Sequence, residues 1–322
     1  MTRPPITLPV TLDDISAAAA RIAPHVRRTP SLSLEVPGGL RVTVKLEQLQ
    51  IGGSFKARGA VNKIATAGDG TIGRGVVTAS GGNHGIGTAW AASRFGARAT
   101  VFLPEAAPVS SERSIRELGA ETVRGGAAWD DAWARAEAFA IERGAVLVHP
   151  FEDPMVIAGQ GTVGTELLAD APDVDAVLVA IGGGGLAAGV ALAAKSGRGP
   201  MRVIGVEPTG APSMQAAMAA GRVVSLPSVH TIAGTLAPRA VGPLTLAFAT
   251  ALLDEIVLVS DDEMRAAMRF LWRSLRVLVE PAGAAAMAAL LSGRANLFGV
   301  HHAGVIVCGA NLDVDCVLGP SR

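Results

Sequence analysis

A lysine follows a run of small residues at the start of a predicted helix. In residues 52–60 the order is Gly-Gly-Ser-Phe-Lys-Ala-Arg-Gly-Ala, so Ser54 is a favourable N-cap and Lys56 falls in the first helical turn. The positive end of the helix dipole disfavours a charged amine there by about 0.3–1 kcal/mol, whereas a neutral amine or an imine suits the position and stays nucleophilic. Lys56 is therefore a candidate covalent catalyst, although a solvated surface lysine is the commoner explanation for the residue taken alone.

A second candidate site is the turn between a predicted strand at residues 75–79 and a predicted helix at residues 86–95. The turn consists of Ser80, Gly81, Gly82, Asn83 and His84. Backbone N–H groups at such a turn point outward and bind anions, and glycines let a ligand approach the main chain closely. An ordinary connection between strand and helix explains the segment equally well, and His84 is assigned a supporting role only.

Four consecutive glycines, Gly182, Gly183, Gly184 and Gly185, follow an apolar strand and open a helix. Such a turn forms a cradle for phosphate with no Cβ atoms in the way, and the helix dipole adds to the attraction. A plain turn needs only one or two glycines, and further ones cost stability, so a functional turn is the better explanation. The uncharged stretch 176–194 is long enough to mimic a membrane span, but its glycines favour a strand, a turn and a helix.

The same glycines allow an alternative from another class of protein. Gly182-x-Gly184-x-x-Ala187 fits the dinucleotide-binding fingerprint, and Glu207 ends the next strand, where a ribose-binding acid lies. A nicotinamide-dependent oxidoreductase is therefore the strongest competing hypothesis. A non-catalytic ligand-binding protein on the same scaffold is the third.

Cys308 lies where the last predicted strand runs into a turn, and a buried, inert thiol is its default interpretation. The other cysteine is Cys316, and the pair lacks the CxxC spacing of a redox or metal site, so a reducing cytoplasm is expected. The sequence has no dense cluster of His, Cys, Asp and Glu, and no metal site is predicted.

Strands and helices alternate along two blocks of the chain, a pattern typical of parallel sheets with right-handed crossovers. The first block has predicted strands at residues 75–79, 99–103 and 145–148 and helices at residues 86–95, 110–118 and 129–143. The second has predicted strands at residues 174–181, 202–206, 255–259 and 304–307, a helix at residues 186–195 and a capping box from Ser260 to Glu263. A strand at residues 41–46 is expected to join the second block. The prediction is an α/β fold in which a small domain, residues 75–149, is inserted in a larger one formed by residues 1–74 and 150–322.

Composition narrows the class of protein further. A length of 322 residues suggests about two domains, and 49% hydrophobic with 17% charged residues describe a globular chain with a sizeable core. Lys and Arg together number 28, as do Asp and Glu, so no net field favours nucleic acid or an anionic membrane. Because the N-terminus also lacks the apolar segment of a secretory signal, a cytoplasmic protein with no nucleic-acid or membrane partner is expected.

Together and in this order, the four segments resemble the pyridoxal-phosphate enzymes of the tryptophan synthase β fold type, and most closely their branch of serine/threonine dehydratases and serine racemases. The similarity runs from about Asp13 to Asp313. It includes Lys45-Leu-Glu47-x-x-Gln50-x-x-Gly-Ser-Phe-Lys56-x-Arg58-Gly, His149-Pro-Phe-x-Asp-Pro154, Ala158-Gly-Gln-Gly161 and Val279-Glu-Pro-Ala-Gly283. It implies a two-domain, three-layer fold with open parallel sheets, pyridoxal 5′-phosphate as cofactor and a homodimer.

The resemblance also implies a role for each candidate residue. Lys56 would carry the cofactor as a Schiff base, Phe55 would pack on its ring, Asn83 would hydrogen-bond its 3′-oxygen, and Cys308 would face its pyridine nitrogen. The phosphate would be held by backbone N–H groups of Gly182, Gly183, Gly184, Gly185 and Leu186. The substrate carboxylate would be held by main-chain donors of Ser80, Gly81, Gly82, Asn83 and His84.

The implied reaction is β-elimination of an L-β-hydroxyamino acid, such as threonine or serine, to a 2-oxo acid and ammonia, with Lys56 removing the α-proton. Racemisation and β-replacement are alternatives within the same fold. Where serine racemases carry a second serine this sequence has Gly81, which argues against two-base racemisation, and Ser213 replaces an aspartate of their cation site beside Glu207. Residues 233–235 read Ala-Gly-Thr where Ala-Asp-Gly is usual, so the preferred substrate side chain is left open.

Overall fold

The computed structural model describes residues 8–36, 38–197 and 200–312, and within these ranges two sheets are surrounded by helices. The strands are β1 (Ser31–Glu35), β2 (Arg41–Leu46), β3 (Val76–Ala79), β4 (Ala99–Leu103), β5 (Glu121–Arg124), β6 (Val146–Leu147), β7 (Ala176–Ala180), β8 (Arg202–Pro208), β9 (Glu255–Val259) and β10 (His302–Val307). The helices are α1 (Leu12–Ile22), α2 (Lys56–Ala65), α3 (Asp69–Ile72), α4 (Asn83–Arg94), α5 (Val109–Glu117), α6 (Trp129–Arg143), α7 (Pro154–Asp170), α8 (Gly185–Lys195), α9 (Ser213–Ala220), α10 (Pro243–Leu252), α11 (Asp261–Leu275) and α12 (Pro281–Leu291).

The smaller sheet has the strand order β5-β4-β3-β6, and all its neighbours are parallel. Strands β3 and β4 are buried along their whole length, because helices cover both faces of a parallel sheet. The three strands predicted in this block are confirmed, since they form β3, β4 and β6. Strand β5 was not predicted because it lies at the edge, is only partly buried and has charged residues at both ends.

The larger sheet has the strand order β1-β2-β10-β7-β8-β9. Strand β1 is antiparallel to β2, and the other neighbours are parallel. The N-terminal β2 pairs with the C-terminal β10, with Val42 opposite Ala303, which confirms that the strand at 41–46 joins the second block. The edge strand β1 was missed because its short segment is mostly exposed.

Helix α2 packs between the two halves of the chain. Its apolar side chains Ala60, Val61 and Ile64 share a core with Val76 and Val101 of the smaller sheet. The segment was predicted to lie in the larger domain, yet part of its packing is with the smaller sheet. The same core includes Val156 of α7, so the helix that begins at the candidate lysine lies between the smaller sheet and α7.

The stretch that mimics a membrane span forms β7, a glycine turn and α8, as predicted. In the described part of the chain, no helix combines the length and the apolar character that crossing a membrane requires. The capping box also forms as predicted, since the Glu263 N–H donates to Ser260 Oγ and the Ser260 N–H to Glu263 Oε2.

Candidate active site

The residues before Lys56 are held by the end of strand β10. Ser54 is extended and bridges Gly309, and the Phe55 N–H donates to Cys308 O at 3.2 Å. The prediction that Ser54 is the N-cap is wrong: α2 begins at Lys56 and Phe55 takes the cap position without a side-chain hydrogen bond. Ser54 instead pairs with Gly309, a residue distant in the chain, and local sequence patterns do not reveal such a pairing.

Lys56 is partly buried, and its Nζ donates to Pro150 O at 2.7 Å. Desolvation lowers the pKa of the amine to about 8, while Cys308 and Glu280 act in the opposite direction. A neutral amine is therefore readily available in weakly alkaline solution. The sequence attributed this property to the helix end, but burial is its largest cause.

The tetraglycine turn, residues 182–185, connects β7 to α8. Gly184 has a φ of +93°, which favours glycine, and a Cβ atom on Gly183 would overlap the Phe151 ring. A Cβ on Gly185 would lie 2.9 Å from Phe151 Cα. Because the first N–H groups of a helix have no partners within it, the start of α8 is a cradle that only glycine backbone can form, and it fits the phosphate of the predicted cofactor. Leu186, the next residue, is buried.

Of the residues predicted to form the turn at 80–84, Ser80, Gly81 and Gly82 precede the helix, whereas Asn83 and His84 already belong to the first turn of α4. The Gly82 N–H donates to Ser80 Oγ at 3.2 Å. A Cβ on Gly81 would lie 2.5 Å from Ala107 Cβ, so this position has no room for a side chain. Ala107 therefore packs directly against the backbone of the turn at Gly81.

His84 is buried, and its Nε2 lies 3.1 Å from Val148 O, so that nitrogen carries the proton. Burial and the nearby Lys56 charge hold the pKa of His84 well below its usual value. The imidazole is therefore neutral at physiological pH.

Asn83 belongs to a hydrogen-bond network that sequence reasoning missed. Its Nδ2 donates to Glu280 Oε1 at 2.5 Å, and Asn311 Nδ2 donates to Asn83 Oδ1 at 2.6 Å. Burial raises the pKa of Glu280 to about 7. The only sequence signal was the position of Glu280 within the Val-Glu-Pro-Ala-Gly segment, where the acid lies between apolar residues.

Cys308 directly follows β10, its side chain is buried, and its Sγ donates to Ala282 O at 3.4 Å. Burial raises the pKa of the thiol, so it stays protonated. The backbone contact with Phe55 brings it next to the start of α2. The second cysteine, Cys316, lies outside the described residues.

An aromatic cluster, defined as Trp129, Trp133, His149 and Phe151, connects the candidate elements and was also missed. The His149 ring lies 4.4 Å from that of Trp133 and 4.7 Å from that of Phe151. Burial and the Lys56 charge lower the pKa of His149 to about 3. Since Pro150 accepts from Lys56 and Phe151 covers the glycine turn, the segment 149–151 joins the lysine to the phosphate cradle.

Glu207 does not face a ligand site. Its buried carboxylate accepts the N–H groups of Met214 at 2.7 Å and Gln215 at 2.8 Å, at the start of α9, and Ser213 Oγ lies 3.4 Å away. Burial raises the pKa of Glu207 to about 7. A carboxylate occupied by a helix start is not available to a ribose, which removes the main support for the dinucleotide hypothesis. Among the described residues, no three His, Cys, Asp or Glu side chains come together in a group that could hold a metal ion.

Comparisons with known proteins agree with this geometry. The family model described as pyridoxal-phosphate dependent enzyme matches residues 22–309. An L-threonine ammonia-lyase of Thermotoga maritima is 41% identical over 312 residues, which cover 96% of this chain and 77% of the relative. A serine racemase of Oryza sativa subsp. indica is 39% identical over 311 residues, which cover 94% of this chain and 91% of the relative.

A solved structure shows the same fold. Maize serine racemase matches with a TM-score of 0.92 and 37% identity, and the match covers 96% of each chain. This likeness confirms the predicted fold type, and the family match confirms pyridoxal phosphate as the cofactor. The chain belongs to the family of pyridoxal-phosphate dependent enzymes.

Proposed function

We propose that this protein is an ammonia-lyase that converts an L-β-hydroxyamino acid, such as threonine or serine, to a 2-oxo acid and ammonia. The observation that carries the proposal is the position of Lys56. Its amine has a pKa lowered to about 8 and donates to Pro150 O, in the segment 149–151 that also covers the glycine cradle. The Thermotoga maritima L-threonine ammonia-lyase, 41% identical to this chain, supports the same reaction.

The residues around Lys56 have separate tasks in binding the cofactor. The backbone N–H groups of Gly182, Gly183, Gly184, Gly185 and Leu186 would hold the phosphate. Phe55 would pack on the ring, Asn83 would donate to the 3′-oxygen, and the protonated thiol of Cys308 would lie on the side of the ring nitrogen. When bound, pyridoxal phosphate withdraws electrons from the α-carbon of the amino acid and makes its C–H bond acidic.

Lys56 moves the proton in this mechanism. Its neutral amine, oriented by the Pro150 carbonyl, takes the α-proton onto Nζ, and a positioned base of this kind typically contributes about 10²–10⁴-fold in rate. The backbone N–H groups of Ser80, Gly81, Gly82, Asn83 and His84 orient the substrate by its carboxylate. Loss of the β-hydroxyl as water, followed by hydrolytic loss of ammonia, gives the 2-oxo acid.

Racemisation is the competing activity, because a serine racemase is among the relatives. A racemase needs a second group that delivers a proton to the opposite face of the α-carbon. Gly81, at the position where that group is expected, has no side chain and no room for one beside Ala107. Elimination with a single base, Lys56, fits this chain better than racemisation does.

The test measures 2-oxo acid and ammonia formed from L-threonine and L-serine by the purified holoenzyme, together with chiral analysis of the remaining amino acid. Lys56→Ala is expected to abolish 2-oxo acid formation while the far-ultraviolet circular dichroism stays unchanged. Lys63→Ala, in the same helix, is the matched control and should keep the activity, because Lys63 forms only a partly exposed ion pair with Asp153. Retained elimination by Lys56→Ala, or racemisation faster than elimination by the wild type, overturns the proposal.

Three broader features belong to the same proposal. The inserted small domain comprises residues 75–149, and the large domain comprises residues 1–74 and 150–322. The protein is a cytoplasmic homodimer, and exposed apolar side chains such as Leu32 on the edge strand β1 and Leu49 are available to a subunit interface. Light scattering of the purified protein, cell fractionation and limited proteolysis at the domain boundaries test these three statements.

A further inference from the structure

Thr235 lies between the two turns to which the proposed function assigns the anionic groups. It belongs to a short 3-10 turn, Gly234–Leu236. If Gly82 carried a Cβ atom, that atom would lie 3.6 Å from Thr235 Cγ2. A Cβ atom on Gly182 would lie 3.0 Å from the carbonyl oxygen of Thr235. A single residue therefore spans the gap between the turn at 80–84 and the tetraglycine turn.

The backbone that carries Thr235 is anchored from behind. Asp261, at the start of α11, accepts from Thr231 Oγ1 at 2.7 Å and from the Ile232 N–H at 3.2 Å. Thr231 Oγ1 in turn accepts the Ala233 N–H at 3.1 Å. Thr235 is thus presented on a fixed segment, which a residue that selects a ligand requires.

The side chain of Thr235 is not used by the fold. It is exposed, whereas its neighbours Ala233 and Leu236 are buried, and its hydroxyl has no hydrogen-bond partner among the described residues. Beside it, a Cβ on Gly234 would meet no atom within 4 Å. A free hydroxyl and an open space therefore lie together at the gap between the two turns.

We propose that Thr235 is a specificity-determining residue whose hydroxyl donates a hydrogen bond to the substrate carboxylate and whose methyl group limits the size of the substrate side chain. The proposal rests on the proposed function, which places the substrate carboxylate at the turn containing Gly82. The Thr235 methyl group already approaches that turn, and the hydroxyl sits on the same Cβ. A hydroxyl donating to a carboxylate forms one of the stronger neutral-to-charged hydrogen bonds.

Two substitutions separate the hydroxyl from the methyl group. Thr235→Val keeps the shape and removes the donor, so KM for L-threonine and L-serine is expected to rise about 3- to 10-fold with kcat within about twofold, because the bond is equally strong in the ground state and the transition state. Thr235→Ser keeps the donor and removes the methyl group. KM for L-threonine should return to within about twofold of the wild type, while kcat/KM for L-threo-phenylserine relative to L-threonine should rise about threefold or more.

Thr66→Val is the matched control, because Thr66 is exposed at the far end of α2 and its hydroxyl bonds only to its own helix. Its kinetic constants should equal those of the wild type, and the visible cofactor absorbance should be the same in all four proteins. An unchanged KM in Thr235→Val, or a rise that Thr235→Ser does not reverse, overturns this inference while the lyase assignment stands. If the wild type forms no 2-oxo acid, the proposed function fails and this inference fails with it.

Discussion

Asn83 Nδ2 donates a hydrogen bond of 2.5 Å to Glu280 Oε1, and both side chains are buried. The two residues are 197 positions apart in the chain, and they meet where β10 has ended. A Cβ on Gly309 would overlap Glu280 Oε1, so Glu280 can reach Asn83 only because residue 309 has no side chain. The carboxyl group therefore fixes which way the Asn83 amide points.

The first prediction concerns this hydrogen bond. Glu280→Ala leaves a buried N–H of Asn83 without a partner, so the affinity of the apoenzyme for pyridoxal phosphate should fall about tenfold. Glu280→Gln keeps an acceptor oxygen and should stay within about threefold of the wild type. Absorbance titration with pyridoxal phosphate measures both affinities. Equal affinities for the Ala variant and the wild type would show that the amide needs no such orientation.

A second prediction follows from the lowered pKa of Lys56. Only the neutral amine reacts with an aldehyde, so the rate at which the apoenzyme captures pyridoxal phosphate should rise with pH and level off above a midpoint of about 8. Nα-acetyl-lysine, whose amine is ordinary, should keep rising towards pH 10.5. Borohydride reduction followed by peptide mapping is expected to place the label on Lys56. A protein midpoint close to that of the model amine would contradict the burial of this group.

A third prediction tests the close packing at Gly81. Gly81→Ser inserts a Cβ 2.5 Å from Ala107 Cβ, and overpacking of this kind is expected to lower the free energy of unfolding by about 1–3 kcal/mol. The double variant with Ala107→Gly should recover most of the loss. Gly70→Ser is the control, since a Cβ there would meet no atom within 4 Å. Urea unfolding distinguishes these outcomes, and full stability of the single variant would refute the clash.

A fourth prediction concerns the buried charges behind the active-site helix. Arg58 is fully buried, and its guanidinium donates to both oxygens of Glu47 at 2.8 Å and to those of Glu166 at 2.7 and 2.9 Å. Arg58→Met leaves the buried Glu47 carboxylate uncompensated and should lower the free energy of unfolding by about 3–5 kcal/mol. Arg116→Met is the control and should lower it by less than about 1 kcal/mol, because that ion pair with Glu112 is exposed on the arginine side. Urea unfolding measures both free energies. Similar losses of stability in the two variants would show that burial does not make the Arg58 ion pair more important than the exposed one.

A fifth prediction is a loss of stability in acid. The pKa of His149 is about 3 in the folded protein and about 6.5 in the unfolded chain, so between these values the unfolded state binds more protons and the free energy of unfolding falls as the pH falls. The loss is at most about 1.4 kcal/mol per pH unit from this histidine, and His84 acts in the same direction.

The raised pKa values of Glu207 and Glu280, both about 7, act oppositely, because the folded state binds more protons than the unfolded chain between pH 7 and 4.5. Comparison with His149→Gln isolates one histidine from these effects. The variant should lose less stability than the wild type between pH 6.5 and pH 5, as followed by urea unfolding. An identical pH dependence of the two proteins would contradict the lowered pKa.

Local patterns in the sequence were sufficient to predict eight of the ten strands of the two sheets. The buried strands were predicted because helices cover both faces of a parallel sheet and such strands read as apolar runs. The glycine turns and the position of Lys56 in the first turn of a helix were also visible, because glycine runs and helix starts leave local signals. The edge strands β1 and β5 were missed because exposed strands lack an apolar run.

The tertiary structure alone decided how these local features act on one another. It drew Ser54 out of the predicted cap by pairing it with Gly309, and it brought Glu280 to Asn83 and Thr235 to the gap between Gly82 and Gly182. It also made burial, rather than the helix end, the main cause of the lowered pKa of Lys56. Hydrogen bonds and desolvation depend on which distant segments lie side by side, and the spacing of residues along the chain does not record that.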